Sequence, residues 1–168
     1  MSQYRRNYQM GGNYFFTLVT YRRHHIFNDP KNIDQLKIAI NKVKKKRPFF
    51  LNAIVILPDH LHCLWRLPDS DVDYSTRWRL IKRYFSIEMN TNVNQRGEKE
   101  VWQRRFWEHT IRNEEDWKKH MDYIHYNPVK HGLVAAAKDW PHTSFHHWVS
   151  IGFYEKNWGS KGSLVLQI

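Results

Sequence analysis

Two strand-like runs follow each other in this chain with only Pro58-Asp59 between them. The first covers residues 50–57 and the second residues 60–67, and both are rich in apolar, β-branched and aromatic residues. A Pro-Asp pair is typical of a tight turn. The pattern therefore predicts a β-hairpin, and two strands joined by so short a turn can pair only in an antiparallel sheet.

The second strand of this hairpin carries two histidines. His60 and His62 are two residues apart, so their side chains share one face of the strand, whereas Leu61 and Cys63 point to the other. Two imidazoles aimed at one point can hold one divalent metal ion. The chain has 11 histidines, however, and such pairs also occur as buried histidines bonded to backbone. The pair alone leaves both interpretations open.

Two further strands and three helices are predicted around the hairpin. One strand covers residues 14–21, and a fourth strand or extended segment covers residues 102–111. The helices are indicated by apolar residues at helical spacing; one is opened by Asp29-Pro30, one carries Trp78 to Met89, and one is capped by Asn113. These elements predict an α+β fold of ferredoxin-like outline, with helices packed on one face of a mostly antiparallel sheet.

The length of 168 residues predicts one domain over residues 1–168. Residues 90–100 are polar and predict a mobile loop, and Pro128 is expected to limit how far the third helix continues. The basic and aromatic tail from His131 onward shows no clear periodicity, so no element is predicted there.

The charge of the chain indicates a polyanionic partner. It has 27 Lys and Arg against 16 Asp and Glu, a net charge of +11, and nucleic acid is the leading candidate. No apolar run approaches the length that a membrane span needs, and residues 1–6 lack an apolar signal region. We therefore expect a cytosolic protein without a membrane partner. The single cysteine, Cys63, excludes an internal disulfide and a multi-thiolate zinc site.

The third helix presents a tyrosine and an amide on one side. Tyr123 and Asn127 are one helical turn apart, so both can face the two histidines. A phenol with a pKa of about 10 needs assistance to act as a nucleophile. A divalent ion that polarises a phosphoryl group supplies it, and the product is a covalent phosphotyrosine. Tyr126 is a rival nucleophile, although its direction on a helix differs from that of Asn127.

Four segments together resemble the REP-associated tyrosine transposases, bacterial proteins related to the single-tyrosine HUH transposases of insertion sequences. The resemblance covers about residues 3–158, and the segments that carry it are Tyr4-Arg5-Arg6, His60-Leu61-His62, residues 102–109 and residues 122–132. It implies a ferredoxin-like HUH fold and a DNA strand transferase. Such an enzyme cleaves and rejoins single-stranded DNA bearing REP hairpins through a 5′-phosphotyrosine intermediate.

The resemblance also implies roles for individual residues. His60 and His62 would bind Mg²⁺ or Mn²⁺, and Tyr123 would be the nucleophile. Asn127 stands where insertion-sequence relatives carry a glutamine that completes the metal site. A monomer in the bacterial cytosol is implied, with its site completed within one chain.

Contacts with DNA are expected from basic and aromatic residues, because phosphates attract cations and unpaired bases stack on rings. The candidates are Tyr4, Arg5, Arg6, Arg77, Arg79, Lys82, Arg83, Arg104 and Arg105. Two alternatives stay open: a non-catalytic regulator that binds REP hairpins with a vestigial site, and a relaxase-like nicking enzyme.

Overall fold

The structure is a computed structural model that describes residues 6–162. Its main elements, in chain order, are β1 (Asn13–Val19), α1 (Pro30–Lys46), β2 (Phe50–Ile56), β3 (His60–Arg66), α2 (Tyr74–Ser86), β4 (Trp107–Thr110), α3 (Glu114–Lys130) and α4 (Phe145–Ser150). The predicted strands and helices are all found, although β4 is shorter than predicted and α2 ends before Met89.

The four strands form one sheet in the order β2-β3-β1-β4, and every neighbouring pair is antiparallel. With α1 after β1 and α2 after β3, this is the ferredoxin-like α+β arrangement, which confirms the predicted fold class. The predicted hairpin is formed by β2 and β3. The central strand β3 also pairs with β1 along its whole length, from Asn13 opposite Arg66 to Val19 opposite His60.

The two faces of the sheet are covered by different helices. The face that carries Phe16, Cys63 and Trp65 packs in the main core with the buried residues of α1 and α2. On the opposite face, Phe15 and Leu64 pack with the buried residues of α3. The expectation that all helices lie on one face is therefore wrong. The reason is that α3 has its own apolar side, and α1 and α2 already fill the first face.

The third helix continues beyond Pro128. It begins as predicted, because the Asn113 side chain accepts a hydrogen bond from the Asp116 backbone N–H at 2.8 Å. Pro128 lies within the last turn, where the carbonyl of Asn127 accepts from His131 and the carbonyl of Pro128 accepts from Leu133. A proline removes its own N–H, here the donor for the Ile124 carbonyl, but the residues that follow it keep theirs. The helix therefore reaches Lys130, and His131 follows as its C-cap.

The C-terminal tail folds back along the outer edge of β2. The Ile56 N–H donates to the His142 carbonyl, and the Ser144 N–H donates to the Ile54 carbonyl. Phe145 of α4 is buried with Tyr154 in a small separate cluster. The tail thus covers a sheet edge that would otherwise expose unpaired backbone groups. No helix among residues 6–162 is long and apolar enough to cross a membrane.

The prediction that Arg77 contacts DNA is wrong. Its side chain is 2% exposed, and the guanidinium donates to the Asp71 carboxylate at 2.7 Å. It also donates to the backbone carbonyls of Asp73, Arg47 and Pro48. Arg47 is the C-cap of α1, so Arg77 joins the end of α1 to the start of α2. Its donors are used inside the fold and do not face a phosphate.

We predict that Arg77→Ala lowers the free energy of unfolding by about 2–3 kcal/mol, because it removes a buried side chain that donates to the partly exposed Asp71 carboxylate and to three backbone carbonyls. Urea denaturation of the metal-free protein measures this change. Arg79→Ala is the matched control, since the exposed Arg79 lies on the same helix, and its effect should stay within about 0.5 kcal/mol. Equal stability of the two variants would contradict the structural role of Arg77.

Candidate active site and basic groove

The two histidines of β3 meet face to edge on the side of the sheet that α3 covers. Both are buried, and their ring centroids lie 5.0 Å apart at an interplanar angle of 82°. Two imidazoles at adjacent positions on one ion, with metal–nitrogen distances of about 2 Å, also have centroids about 5 Å apart. The spacing of the pair is therefore compatible with a shared divalent ion.

Asp59 fixes the orientation of the first histidine. Its carboxylate lies 2.5 Å from Nδ1 of His60. Burial raises the pKa of Asp59, but hydrogen bonds from His60 and Arg23 outweigh burial and hold that pKa below its usual value. The carboxylate is thus ionised at neutral pH and only accepts hydrogen bonds. His60 must then donate from Nδ1, which leaves the lone pair of Nε2 for a metal in the neutral ring.

The second histidine has one nitrogen without a partner. Nδ1 of His62 lies 2.7 Å from the Thr17 hydroxyl, while the buried Nε2 has no hydrogen-bond partner among the described residues. Burial holds the pKa of His62 well below its usual value, and the nearby charges of His60, His131 and Lys130 act in the same direction. A neutral imidazole with a buried, unpaired nitrogen is costly unless a ligand satisfies it. This feature fits a bound metal ion.

Helix α3 lays a stripe of three residues over the histidine pair. Tyr123, Asn127 and His131 are spaced four residues apart and so follow one face. The ring centroid of Tyr123 is 5.1 Å from that of His62, and the centroid of His131 is 5.2 Å from that of His60. Asn127 lies between these two contacts along the helix.

Asn127 has the properties of a third ligand. It is 0% exposed, and neither its amide oxygen nor its amide nitrogen has a hydrogen-bond partner in the described part of the chain. A buried amide normally has its polar atoms paired. An amide oxygen is a ligand that Mg²⁺ and Mn²⁺ favour, whereas imidazole nitrogen is a typical ligand of later transition metals. The predicted ligands His60, His62 and Asn127 therefore offer two nitrogens and one oxygen, a mixed donor set, to the predicted divalent ion.

The two tyrosines of α3 point in different directions. Tyr126 has its ring 6.4 Å from that of Trp158 in the C-terminal tail. Tyr123 instead packs between His62 of β3 and Phe15, and Lys130 places its ammonium 4.8 Å from the Tyr123 ring centroid. Only Tyr123 of this pair lies beside the histidines.

A second His/Asp cluster lies one turn earlier on α3. Ligand atoms of His109, Asp116 and His120 all lie within 4.8 Å of one another. The Asp116 carboxylate is 2.8 Å from His109 and 3.2 Å from His120, and the two rings are stacked 4.6 Å apart at 13°. Parallel stacked rings do not direct their lone pairs at one point, so hydrogen bonding accounts for this cluster.

The ionisation of Asp116 agrees with that interpretation. Burial raises the pKa of Asp116, but hydrogen bonds from His109 and from the Arg112 backbone N–H outweigh it and bring the pKa to about 2. The cluster therefore acts as a clamp between β4 and the first turn of α3, and it is separate from the histidine pair of β3.

A basic groove of about 1360 Å³ lies on the α2 side of the sheet. Its walls come from Arg6, from the turn after β1, from α2 and from residues 94–106. Eight basic side chains line it against two acidic ones; the basic ones are Arg6, Arg22, Arg79, Lys82, Arg83, Arg96, Lys99 and Arg104. Its volume and charge suit a nucleic-acid backbone.

Most of the predicted DNA contacts lie in this groove. Those that line it are Arg6, Arg79, Lys82, Arg83 and Arg104. Arg105 is exposed but is not among the lining residues, and Arg77 is buried in the core. Tyr4 and Arg5 lie outside the described residues. Arg6 itself places its guanidinium 4.1 Å from the Phe106 ring centroid and donates to Ser75.

Lys82 is the most perturbed cation of the groove. Its ammonium donates to the backbone carbonyls of Gln103 and Arg104 at 2.8 and 3.2 Å. The pKa of Lys82 is lowered to about 8, mainly by burial; the charge of Glu98 opposes this shift and the charge of Arg6 adds to it. The charge of this lysine therefore changes close to neutral pH.

Sequence reasoning missed several residues of these two sites, and Arg96 and Lys99 of the basic groove are among them. Thr17 and Lys130 contact the candidate nucleophile or its histidine neighbour, and His131 contacts His60. The spacing of Tyr123, Asn127 and His131 was a usable signal for His131, but the expected stop at Pro128 concealed it. Arg22 lines the groove through a turn that has no sequence signature.

Comparisons with known proteins give the family. The model of the IS200-like transposase family matches residues 8–127. A REP-associated tyrosine transposase of Escherichia coli K12 is 47% identical over 159 residues, which cover 94% of this chain and 91% of the relative.

Solved structures agree with the sequence matches. A REP-associated tyrosine transposase bound to a REP hairpin superposes with a TM-score of 0.82 at 45% identity, covering 100% of this chain and 99% of that one. A candidate transposase from Deinococcus radiodurans, at 19% identity and a TM-score of 0.51, shares the fold and covers 73% of this chain and 95% of its own. The chain therefore belongs to the REP-associated tyrosine transposases, enzymes of the IS200-like transposase family with an HUH fold.

Proposed function

We propose that this protein is a metal-dependent DNA strand transferase that cleaves and rejoins single-stranded DNA carrying REP hairpins. The observation that carries the proposal is the stripe of α3 over the histidine pair. Tyr123 packs against His62, and both His62 and Asn127 have buried polar atoms that lack hydrogen-bond partners among the described residues. A nucleophile and an unsatisfied donor set for a hard metal ion thus occupy one place.

His60, His62 and Asn127 would hold Mg²⁺ or Mn²⁺ next to Tyr123. The ion, when bound, polarises a phosphoryl oxygen and offsets the charge that develops in the transition state. The phenolic oxygen of Tyr123 attacks the scissile phosphorus after losing its proton. The bond from phosphorus to the 3′ oxygen breaks, and that oxygen takes up a proton to become a hydroxyl.

The product of this step is a 5′-phosphotyrosine and a free 3′-hydroxyl. The covalent bond conserves the free energy of the phosphodiester, so a 3′-hydroxyl of another strand can attack it and release Tyr123 unchanged. Cleavage and joining then use the same residues in opposite directions. This is why the proposed reaction is strand transfer and not hydrolysis.

We propose that the hairpin binds in the basic groove. Its excess of cations gives a binding energy that depends on salt, and the net charge of +11 steers DNA to the protein. The solved relative that is bound to a REP hairpin supports the same class of partner. We further propose that a monomer carries out the reaction in the bacterial cytosol.

The proposal is tested by incubating REP hairpin DNA, labelled at its 3′ end, with the protein and Mg²⁺ or Mn²⁺, followed by a denaturing gel. A labelled protein–DNA adduct is expected, and a chelator should abolish it. Tyr123→Phe should form no adduct yet bind the hairpin as tightly as before. Tyr126→Phe is the matched control and should keep the adduct, because its ring faces Trp158.

Two outcomes would overturn the proposal. An adduct that persists in Tyr123→Phe would exclude this residue as the nucleophile. Tight hairpin binding without an adduct in either metal would favour the alternative of a non-catalytic regulator.

Asn127→Ala should separate metal binding from folding. In metal-free buffer we expect this substitution to change the unfolding free energy less than substitution of most fully buried residues does, because the amide has no hydrogen-bond partner within residues 6–162. In the wild type, a metal ion at a concentration 100 times its dissociation constant should raise the unfolding free energy by about 2.7 kcal/mol. Asn127→Ala should lose most of that increment in thermal unfolding with Mn²⁺. An unchanged increment would exclude Asn127 as a ligand.

Hairpin affinity should fall as the pH rises through the pKa of Lys82. That pKa is about 8 in the free protein, so the ammonium is charged at pH 7 and largely neutral at pH 9. If phosphate binding requires the charged form, affinity should decrease by up to about tenfold between these pH values, since each pKa unit corresponds to a factor of ten.

Fluorescence anisotropy in metal-free buffer measures this pH profile without involving the histidine pair. Lys82→Arg should flatten the profile, because a guanidinium stays charged throughout this range. Identical profiles for the wild type and Lys82→Arg would show that Lys82 does not contact the DNA backbone.

A further inference from the structure

The turn that follows β1 has an unusual backbone. Arg22 and Arg23 both have left-handed dihedral angles, with φ of 49° and 55°. A non-glycine residue in this region costs roughly 1–2 kcal/mol, and here two such residues are adjacent. The surrounding structure must therefore hold the turn in place.

Hydrogen bonds attach this segment to the turn before the histidine pair. The N–H of the buried Thr20 donates to the Asp59 carbonyl at 2.9 Å, and its hydroxyl lies 2.9 Å from the same carbonyl oxygen and 2.8 Å from that of His24. A little further on, the Phe27 N–H donates to the Pro58 carbonyl at 3.1 Å. The strained turn is thus joined to Pro58-Asp59, the residues that lead directly into His60.

The side chain of Arg23 completes this connection. Its guanidinium lies 3.0 Å from one carboxylate oxygen of Asp59, and the other oxygen is 2.5 Å from Nδ1 of His60. The Asp59 side chain is 15% exposed, whereas that of Arg23 is 61% exposed. Each carboxylate oxygen therefore has a charged or polar partner, and the carboxylate cannot turn without breaking one of the two contacts.

We infer that Asp59 and Arg23 are positioning residues of the metal site: Arg23 holds the Asp59 carboxylate, and the carboxylate holds the His60 ring with Nε2 directed at the ion. This inference rests on the proposed function, because it assigns the two residues to the metal that His60 would bind. Carboxylates bonded to a metal-binding histidine fix its tautomer and ring orientation in this way. The strain at Arg23 is then the cost of presenting a guanidinium at this place.

The neighbouring residue provides a matched control. Arg22 has the same charge and the same left-handed backbone, but it lines the basic groove, and its guanidinium lies 5.2 Å from the Tyr21 ring centroid. Two adjacent arginines of one turn thus belong to different sites. Substitution of Arg22 tests the effect of losing a cation and a strained side chain without touching Asp59.

The experiment measures Mn²⁺ binding to the metal-free protein without DNA, from the electron paramagnetic resonance signal of free Mn²⁺. Asp59→Asn should weaken Mn²⁺ binding about 10- to 100-fold, the usual effect of losing such a partner. Arg23→Ala should weaken it in the same direction but less, and Arg23→Lys should recover part of the loss. Arg22→Ala should bind Mn²⁺ like the wild type and bind hairpin DNA more weakly.

Thermal unfolding in metal-free buffer checks that the variants are folded. Asp59→Asn keeps the backbone carbonyl that Thr20 uses, so its fold should be retained. Wild-type affinity for Mn²⁺ in both Asp59→Asn and Arg23→Ala would overturn the inference and leave the proposed function intact. A wild-type protein that binds no Mn²⁺ would instead refute the metal-dependent function, and the inference with it.

Discussion

The site depends on one property of β3, which is buried on both of its faces. Alternate side chains of this central strand point to opposite faces of the sheet. Cys63 and Trp65 pack toward α1 and α2, while His60 and His62 face α3. Polar rings on a buried face must find partners. Asp59 and Thr17 are the partners of Nδ1 of His60 and of His62, but Nε2 of His62 has no hydrogen-bond partner in the part of the chain that the structure describes. The same alternation that builds the core therefore leaves a nitrogen available for a metal.

The ferredoxin-like sheet places the proposed DNA-binding groove and the proposed catalytic site on opposite faces. The basic groove lies on the side of α2, and the histidine pair and Tyr123 lie under α3 on the opposite face. A DNA strand would have to pass around the sheet to reach both. The turn after β1 stands between them, since Arg22 lines the groove and Arg23 contacts Asp59. Substitutions of these two neighbouring residues can therefore test the proposed hairpin binding and the proposed DNA cleavage separately.

The features that could be predicted from sequence are the local ones. The hairpin follows from two strand-like runs around Pro58-Asp59, and the start of α3 follows from the side-chain cap of Asn113. The juxtaposition of Tyr123 and Asn127 follows from helical spacing once α3 is known to cover the histidines. In each case the determining residues lie within a few positions of one another.

The features that could not be predicted from sequence depend on contacts between distant parts of the chain. The burial of Arg77 requires the end of α1 and the connector before α2 to meet, and the order of the tail requires bonds to the edge of β2. Pro128 misled the interpretation because a proline removes only its own N–H, and the hydrogen bond from His131 to the Asn127 carbonyl still closes the last turn. The basic groove combines residues from four separated segments, so charge counts indicated a DNA partner without locating its surface.

Tandem mass spectrometry of the covalent protein–DNA adduct formed with Mg²⁺ tests directly whether Tyr123 is the nucleophile. Trypsin should release residues 120–130 as one peptide that contains both Tyr123 and Tyr126, so fragmentation within this peptide is needed. We expect a nucleotide on Tyr123, the tyrosine that packs against His62. A nucleotide on Tyr126, or cleaved DNA without any modified tyrosine, would contradict it.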